Sequence, residues 1–77
     1  MVRNRDNVGP LSGREIQVLE WIAAGKSDWQ IAQILELSPK TVNYHVEHSK
    51  KKLRASTRIQ AVVAAVRLQL ISGTWAP

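Results

Sequence analysis

The sequence predicts an all-α domain built from four short helices. Each of four segments begins with a Ser and continues with apolar residues every three to four positions, the spacing that places them on one helix face. No segment shows the apolar–polar alternation of a half-buried strand. With 77 residues and no cysteine, the chain has room for one domain. Helix packing rather than disulfides must stabilise it.

The first two helices are each predicted to begin with a capping box. In this motif a Ser side chain and a Glu or Gln three residues later each bond the other's backbone N–H group. Gly25 is predicted to end the first helix, because glycine readily adopts the left-handed conformation found after helix C-termini. The capping pairs are Ser12 with Glu15 and Ser27 with Gln30. The inner-face positions are Val18, Leu19, Ile22 and Ala23 in helix one and Ile31, Ala32 and Leu35 in helix two.

Helix three is predicted to begin at Ser38-Pro39, with Ser as the N-cap and Pro at the first helical position. Helix four is predicted to begin at Ser56 and to end at Ser72-Gly73. Their inner-face positions are Val42, Val46, Ser49 and Leu53 in helix three and Ala61, Val62, Ala65 and Leu68 in helix four. Three short helices joined by tight turns, the third of them basic, are the layout of a helix-turn-helix. We therefore predict this motif in helices two and three.

The predicted domain occupies residues 11–72. Residues 1–10 have no apolar period and end in Gly-Pro, which is typical of a flexible linker or arm, and residues 73–77 are predicted to form a tail. No run approaches the about 18 apolar residues that cross a membrane. No apolar signal-peptide core follows Met1. We expect a cytoplasmic protein without membrane contact.

The formal net charge of +5 is concentrated in residues 38–60, which hold six Lys or Arg residues and one acid. A concentrated basic field suits a polyanion such as nucleic acid. A solvated face without a partner is the alternative. The outer face of helix three favours the first interpretation, because it also carries an amide and a phenol that solubility does not need.

Each residue type on that outer face has a use in binding DNA. Asn43 can pair with an adenine edge, Tyr44 can touch a thymine methyl or a phosphate, and Glu47 can accept from the cytosine amino group. We predict these three as base-reading residues, although Glu47 pairing only with Lys51 at i+4 is an alternative. Cations near the rim, and free N–H groups of the first turn, can contact phosphates. The predicted phosphate contacts are Lys26, Ser27, Trp29, Lys40, Thr41, Lys50, Lys51, Arg54 and Arg58.

Helix four carries a second apolar stripe beside its inner face. A deeply buried helix would explain the stripe, and so would contact with a second copy of the chain. We predict a homodimer through helix four. The stripe residues are Ile59, Val63, Val66 and Leu70.

The sequence shows no sign of catalysis. It lacks cysteine, a Gly-rich phosphate loop and a visible nucleophile–base pair. His45 and His48 are three residues apart, but no nearby carboxylate or thiol completes a metal site. We expect a non-enzyme without cofactor or metal. A module that binds an acidic protein through the basic face and the helix-four stripe is the remaining alternative to DNA binding.

Across residues 11–71 the sequence resembles the LuxR-type DNA-binding domain. The resemblance implies a four-helix domain that regulates transcription as a dimer on a pseudo-palindromic operator. It also implies contact with RNA polymerase as one further partner, and an N-terminal sensor domain if the chain is a fragment. The segments that carry it, in order, are Leu11-Ser12-x-Arg14-Glu15, Ala23-x-Gly25-Lys26-Ser27, Ile31-Ala32-x-x-Leu35, Leu37-Ser38-x-x-Thr41-Val42-x-x-His45-Val46, Lys52-Leu53 and Ser56-Thr57-Arg58-x-Gln60-Ala61.

Trp21 and the segment around Trp29 are more similar to the quorum-sensing branch, which has an acyl-homoserine-lactone sensor, than to the receiver-linked branch. Free-standing short regulators also occur in the family. Three residues depart from its pattern. Gln30 stands where Glu is common, Ser49 stands where an aliphatic residue usually packs, and Glu47 leaves the preferred operator open.

Overall fold

The computed structural model describes residues 11–71, which form four helices without a strand in that range. Helix α1 is Gly13–Ala23, α2 is Asp28–Leu35, α3 is Pro39–Leu53 and α4 is Arg58–Arg67. The predicted all-α class is confirmed, with α2 and α3 as the helix-turn-helix. The predicted arm at residues 1–10 and the tail at residues 73–77 lie outside the described residues.

The first three helices begin at the predicted caps. Both capping boxes are present, with Ser12 and Glu15 at α1 and Ser27 and Gln30 at α2. At α3 the Ser38 side chain caps the helix and Pro39 occupies its first position. Helix α1 ends at Ala23 with Ala24 as its C-cap, and the predicted glycine follows directly: Gly25 has a φ of +90°, in the region that favours glycine.

The predicted start of α4 is wrong by one residue. Thr57, not Ser56, is the N-cap, and its side chain accepts from the Gln60 backbone N–H. Gln60 completes a capping box with Thr57, and its side-chain oxygen also accepts from the Ser56 N–H at 2.8 Å. Two adjacent hydroxyl residues offer the same local signal, and the chain uses the one that Gln60 can reach back to as N3.

The predicted end of α4 at Ser72-Gly73 is also wrong. The helix ends at Arg67, and Leu68, predicted to face inward, is exposed. Gln69 adopts a left-handed φ of +60° and the Leu70 N–H bonds the Ala65 carbonyl, which reverses the chain. Ile71 is then buried in the core, so burial of this side chain is achieved by a turn rather than by continued helix.

The core consists of two clusters that meet at α1. The helix-turn-helix cluster joins α1, α2 and α3. The α4 cluster joins α1, α4 and both ends of the described range. Ile22 packs against both clusters. Their buried members are Val18, Ile31, Ala32, Val42 and Val46 in the first and Leu11, Leu19, Ala61, Ala65 and Ile71 in the second.

Ser49 is a fully buried polar residue of α3. Its hydroxyl donates to the His45 carbonyl oxygen at 2.8 Å, one helical turn earlier. A buried hydroxyl without a partner would destabilise the fold, whereas this bond satisfies the donor. The departure from the usual aliphatic residue is therefore accommodated within the helix itself.

Candidate nucleic-acid interface

The three predicted base-reading side chains lie together on the exposed face of α3. Asn43, Tyr44 and Glu47 are exposed, whereas Val42 and Val46 on the opposite side are completely buried. Burial of the inner face fixes the rotation of the helix. The polar outer face is therefore presented to solvent in one defined orientation.

Tyr44 is oriented by two histidines of the same helix. Its ring centroid lies 4.2 Å from that of His48 and 5.7 Å from that of His45. His48 is partly buried and supports an aromatic side chain that is itself 56% exposed. His48 was not among the predicted site residues, although its i+4 spacing from Tyr44 indicates this contact.

His45 is a partly buried residue of α3 that lies near Arg14 and Glu15 at the start of α1. Burial lowers its pKa, and the nearby Arg14 and His48 act in the same direction, while Glu15 opposes them. The imidazole therefore favours its neutral form more than a free histidine does. This agrees with packing of the ring as the main role of His45.

Four predicted phosphate contacts are cations whose charge is not taken up by an acid. Within residues 11–71, no ion pair involves Lys26, Lys40, Lys51 or Arg54. Lys40 lies in the first turn of α3, and Lys51 and Arg54 lie at its C-terminal end. These three cations bracket the base-reading residues along the helix.

Three further predicted contacts are at helix starts. Ser27 and Thr41 already take part in helix capping. The Ser27 hydroxyl oxygen accepts from the Gln30 backbone N–H, and the Thr41 backbone N–H donates to the Ser38 hydroxyl oxygen at 3.0 Å. The expectation that the Thr41 N–H is free is therefore wrong, and only its hydroxyl hydrogen remains to donate. Trp29 in the first turn of α2 is 63% exposed.

The last two predicted contacts, Lys50 and Arg58, are paired with carboxylates. Lys50 bonds both carboxylate oxygens of Glu47, at 3.1 and 3.3 Å. The alternative in which Glu47 pairs with Lys51 is wrong, since Glu47 pairs with the i+3 neighbour Lys50 and not with the i+4 neighbour. Arg58 makes a two-pronged ion pair with Asp28, and this hydrogen bond raises the pKa of the guanidinium.

An ion pair between the exposed Lys52 and the buried Glu15 holds α3 against the start of α1. The Lys52 ammonium lies 2.9 and 3.1 Å from the two carboxylate oxygens of Glu15, which also completes the α1 capping box. Burial alone would raise the pKa of Glu15, but the Ser12 N–H and Lys52 outweigh burial and lower it. Glu15 is thus charged and fully partnered, and it fixes the end of α3 that carries Lys51 and Arg54.

The second apolar stripe of α4 divides into two parts. Ile59 and Val63 are exposed, at 64% and 46%, and they line a groove with Gln60, Ala64 and Arg67. Val66 and Leu70 instead pack partly against the α4 cluster. The outer pair is therefore available to a partner, while the other two belong largely to the fold.

No helix in residues 11–71 is long and apolar enough to cross a membrane. The same range contains no group of three or more His, Asp or Glu side chains placed to hold a metal ion.

Residues 9–65 match the family described as bacterial regulatory proteins, luxR family. The chain belongs to this family. Its helix-turn-helix is accordingly a DNA-binding element of a transcription regulator, as the fold and the basic face of α3 indicate. Membership of a family of regulatory proteins also agrees with the expectation that this luxR-family domain is not an enzyme.

The relatives it matches are larger regulators. The transcriptional activator protein SolR of Ralstonia nicotianae is 46% identical over 61 residues, which is 79% of this chain and 26% of SolR. The transcriptional activator protein VanR of Vibrio anguillarum is 46% identical over 56 residues, covering 73% of this chain and 23% of VanR. The HTH-type quorum-sensing regulator RhlR of Pseudomonas aeruginosa is 44% identical over 61 residues, covering 79% of this chain and 25% of RhlR. The luxR-family domain thus spans about a quarter of the length of these curated relatives.

Proposed function

We propose that this domain reads an operator in duplex DNA by inserting α3 into the major groove. The observation that carries the proposal is the outer face of α3. There, an exposed amide, phenol and carboxylate are bracketed by cations that form no ion pair within residues 11–71, while the opposite face is completely buried. A helix of this width fits the major groove, where each base pair presents its own pattern of donors and acceptors.

In this proposal Asn43, Tyr44 and Glu47 contact bases. Asn43 can donate to and accept from adenine, and Tyr44 is held by His48 in a pose that can reach a thymine methyl. Glu47 is an acceptor suited to the cytosine amino group. In the free protein this acceptor is bonded to Lys50, so reading a base requires it to exchange that bond for one with DNA.

Phosphates are contacted around this central face. The α1–α2 turn and the start of α2 provide three of the phosphate contacts, through Lys26, Ser27 and Trp29. Helix α3 provides the others, through Lys40 and Thr41 at its start and Lys50, Lys51 and Arg54 at its end. Contacts of this kind position a protein on any sequence and make binding depend steeply on salt.

We further propose that two copies bind together through α4. The exposed Ile59 and Val63 form the centre of the contact, and the partly buried Val66 and Leu70 complete it. A two-fold axis between the domains requires a pseudo-palindromic operator with half-sites about one helical turn apart.

The likeness to RhlR and to the activators SolR and VanR supports a role in a quorum-sensing transcription regulator of the cytoplasm. In such a regulator an N-terminal sensor domain would control this DNA-binding domain. Contact with RNA polymerase would then link operator binding to transcription.

Selection of bound sequences from random duplex DNA tests the operator proposal. We expect enrichment of two inverted half-sites about one helical turn apart. Enrichment of a single half-site would contradict the dimer, and the absence of any enriched sequence would contradict base reading.

Two variants then separate reading from positioning. Asn43→Ala should cost about 1–3 kcal/mol on the selected site and little on random DNA, because it removes a base contact. Lys51→Ala should weaken binding to both DNAs alike and reduce the salt slope by about one. Equal losses on both DNAs for both variants would remove the base-reading role of Asn43. Binding that barely responds to salt would favour the protein-partner alternative.

A further inference from the structure

Two helix starts are joined by one ion pair. Asp28 is the first residue of α2 and Arg58 is the first residue of α4. Two guanidinium nitrogens of Arg58 donate to the two carboxylate oxygens of Asp28. Both side chains are about one-third exposed, at 34% and 28%. Because α2 packs mainly on α3 and α1, this pair is a direct bridge between two elements that otherwise meet through their neighbours.

The carboxylate of Asp28 has opposite effects on folding and on DNA binding. An acid in the first turn stabilises a helix by interacting with its positive end, and α2 has only eight residues. The same acid lies between Ser27 and Trp29, which we propose as phosphate contacts. An unpaired negative charge at this point would repel the DNA backbone.

Arg58 supplies the compensating positive charge. Two of its guanidinium nitrogens donate to the Asp28 carboxylate, so the pair as a whole carries no net charge toward an approaching backbone. We propose that Arg58 promotes DNA binding by neutralising Asp28 and not by contacting a phosphate itself. Arg58 is therefore a positioning residue, and this inference rests on the DNA-binding function proposed above.

The proposal makes net charge at the pair, rather than Arg58 itself, the property that matters. The variants Asp28→Asn, Arg58→Gln and the double variant change the charge by +1, −1 and 0. The double variant therefore has the wild-type charge but lacks the guanidinium. If Arg58 contacted a phosphate directly, the double variant would bind more weakly than wild type.

The experiment measures binding of the whole chain to a fluorescein-labelled duplex of mixed sequence, about two helical turns long, between about 50 and 200 mM salt. We expect Arg58→Gln to weaken binding about three- to tenfold, and Asp28→Asn to bind at least as tightly as wild type. The double variant should bind within about twofold of wild type and keep its salt slope. Arg58→Lys, which retains the charge, should also stay near wild type.

A double variant as weak as Arg58→Gln, with a salt slope reduced by about one, would show a direct phosphate contact and overturn the inference. Weak binding by Asp28→Asn would overturn it as well. Thermal unfolding of each variant checks that it is folded at the assay temperature, as expected because a partly exposed ion pair contributes little to stability. If the wild-type chain binds no duplex at all, that result contradicts the proposed function and, with it, this inference.

Discussion

The two faces of α3 differ in what their neighbours provide. Val42, Val46 and Ser49 on the inner face are completely enclosed by the domain. On the outer face, within residues 11–71, the ring contacts of Tyr44 and the hydrogen bonds of the Glu47 side chain are all with other residues of α3. One helix therefore carries the stability of the domain on one side and its proposed binding on the other. Substitutions should separate the two properties according to the face they touch.

The largest effect is expected on the inner face. Val46→Ala should lower the free energy of unfolding by about 2–3 kcal/mol, because it leaves a cavity in the helix-turn-helix cluster. This is a large fraction of the stability of so small a domain. Urea unfolding measures the loss, with Asn43→Ala as the outer-face control, expected within about 0.5 kcal/mol of wild type. Equal losses in the two variants would contradict the division between faces.

A smaller loss is expected from the ion pair that Lys52, at the end of α3, makes with the buried Glu15. Glu15→Gln should cost about 1–2 kcal/mol, because the partly exposed Lys52 loses its partner while the amide can still cap α1. The α2 box shows that an amide suffices for capping, since Gln30 accepts from the Ser27 N–H at 2.9 Å. Urea unfolding at neutral pH measures this loss, and Lys52→Met should give a similar value. A loss in Glu15→Gln alone would assign the effect to the cap.

The same variant should change the response to acid. The pKa of Glu15 is lowered in the folded chain, so the unfolded chain binds the proton more readily. The stabilisation is complete above the unfolded pKa of about 4.3 and is lost as the pH falls through the lower folded value. Wild type should therefore lose more stability than Glu15→Gln across this window. Parallel pH profiles would argue against the lowered pKa.

On the outer face, removing the acid should alter binding and leave stability unchanged. Glu47→Gln eliminates a charge that opposes phosphate and releases Lys50, so binding to mixed-sequence DNA should tighten about threefold. If Glu47 reads cytosine, preference for the selected operator should fall about tenfold at one base pair. Fluorescence anisotropy on both DNAs measures the ratio. Glu20→Gln in α1 makes the same charge change away from this face and should leave the preference intact.

The smallest effect is expected at two helix ends that adopt the left-handed conformation without glycine. Glu36 after α2 and Arg54 after α3 have φ values of +58° and +56°. Glycine at either position should raise stability by about 0.5 kcal/mol, because it relieves the strain of a side chain in this region. Only Arg54→Gly should also weaken DNA binding, since Arg54 is a proposed phosphate contact. Thermal unfolding and a DNA titration together check this, and destabilisation by Glu36→Gly would contradict the strain.

The local features of this fold were predictable from the sequence because they depend on neighbouring residues. Ser12, Ser27 and Ser38 cap their helices with partners three residues away. The end of α4 was not predictable in this way. Leu68 continues the apolar period, whereas the turn at Gln69 brings Ile71 into a core whose other residues are distant in the sequence.

The candidate site divides along the same line. The exposed face of α3 follows from helical spacing, so Asn43, Tyr44 and Glu47 were predicted together. The partner of Arg58 was not predicted, because Asp28 is 30 residues away and meets it only in the folded domain. For Glu47 the spacing allowed Lys50 or Lys51, and rotamers rather than spacing decide between them.

The meeting of the two core clusters at α1 limits how this helix can vary in length. Val18 packs into one cluster and its neighbour Leu19 into the other. One inserted or deleted residue would rotate the following part of α1 by about 100°. Both side chains would then leave their clusters together, and the helix-turn-helix and α4 would lose their common support. Changes in chain length are thus best tolerated at the connections between helices, while α1 can accept substitutions only.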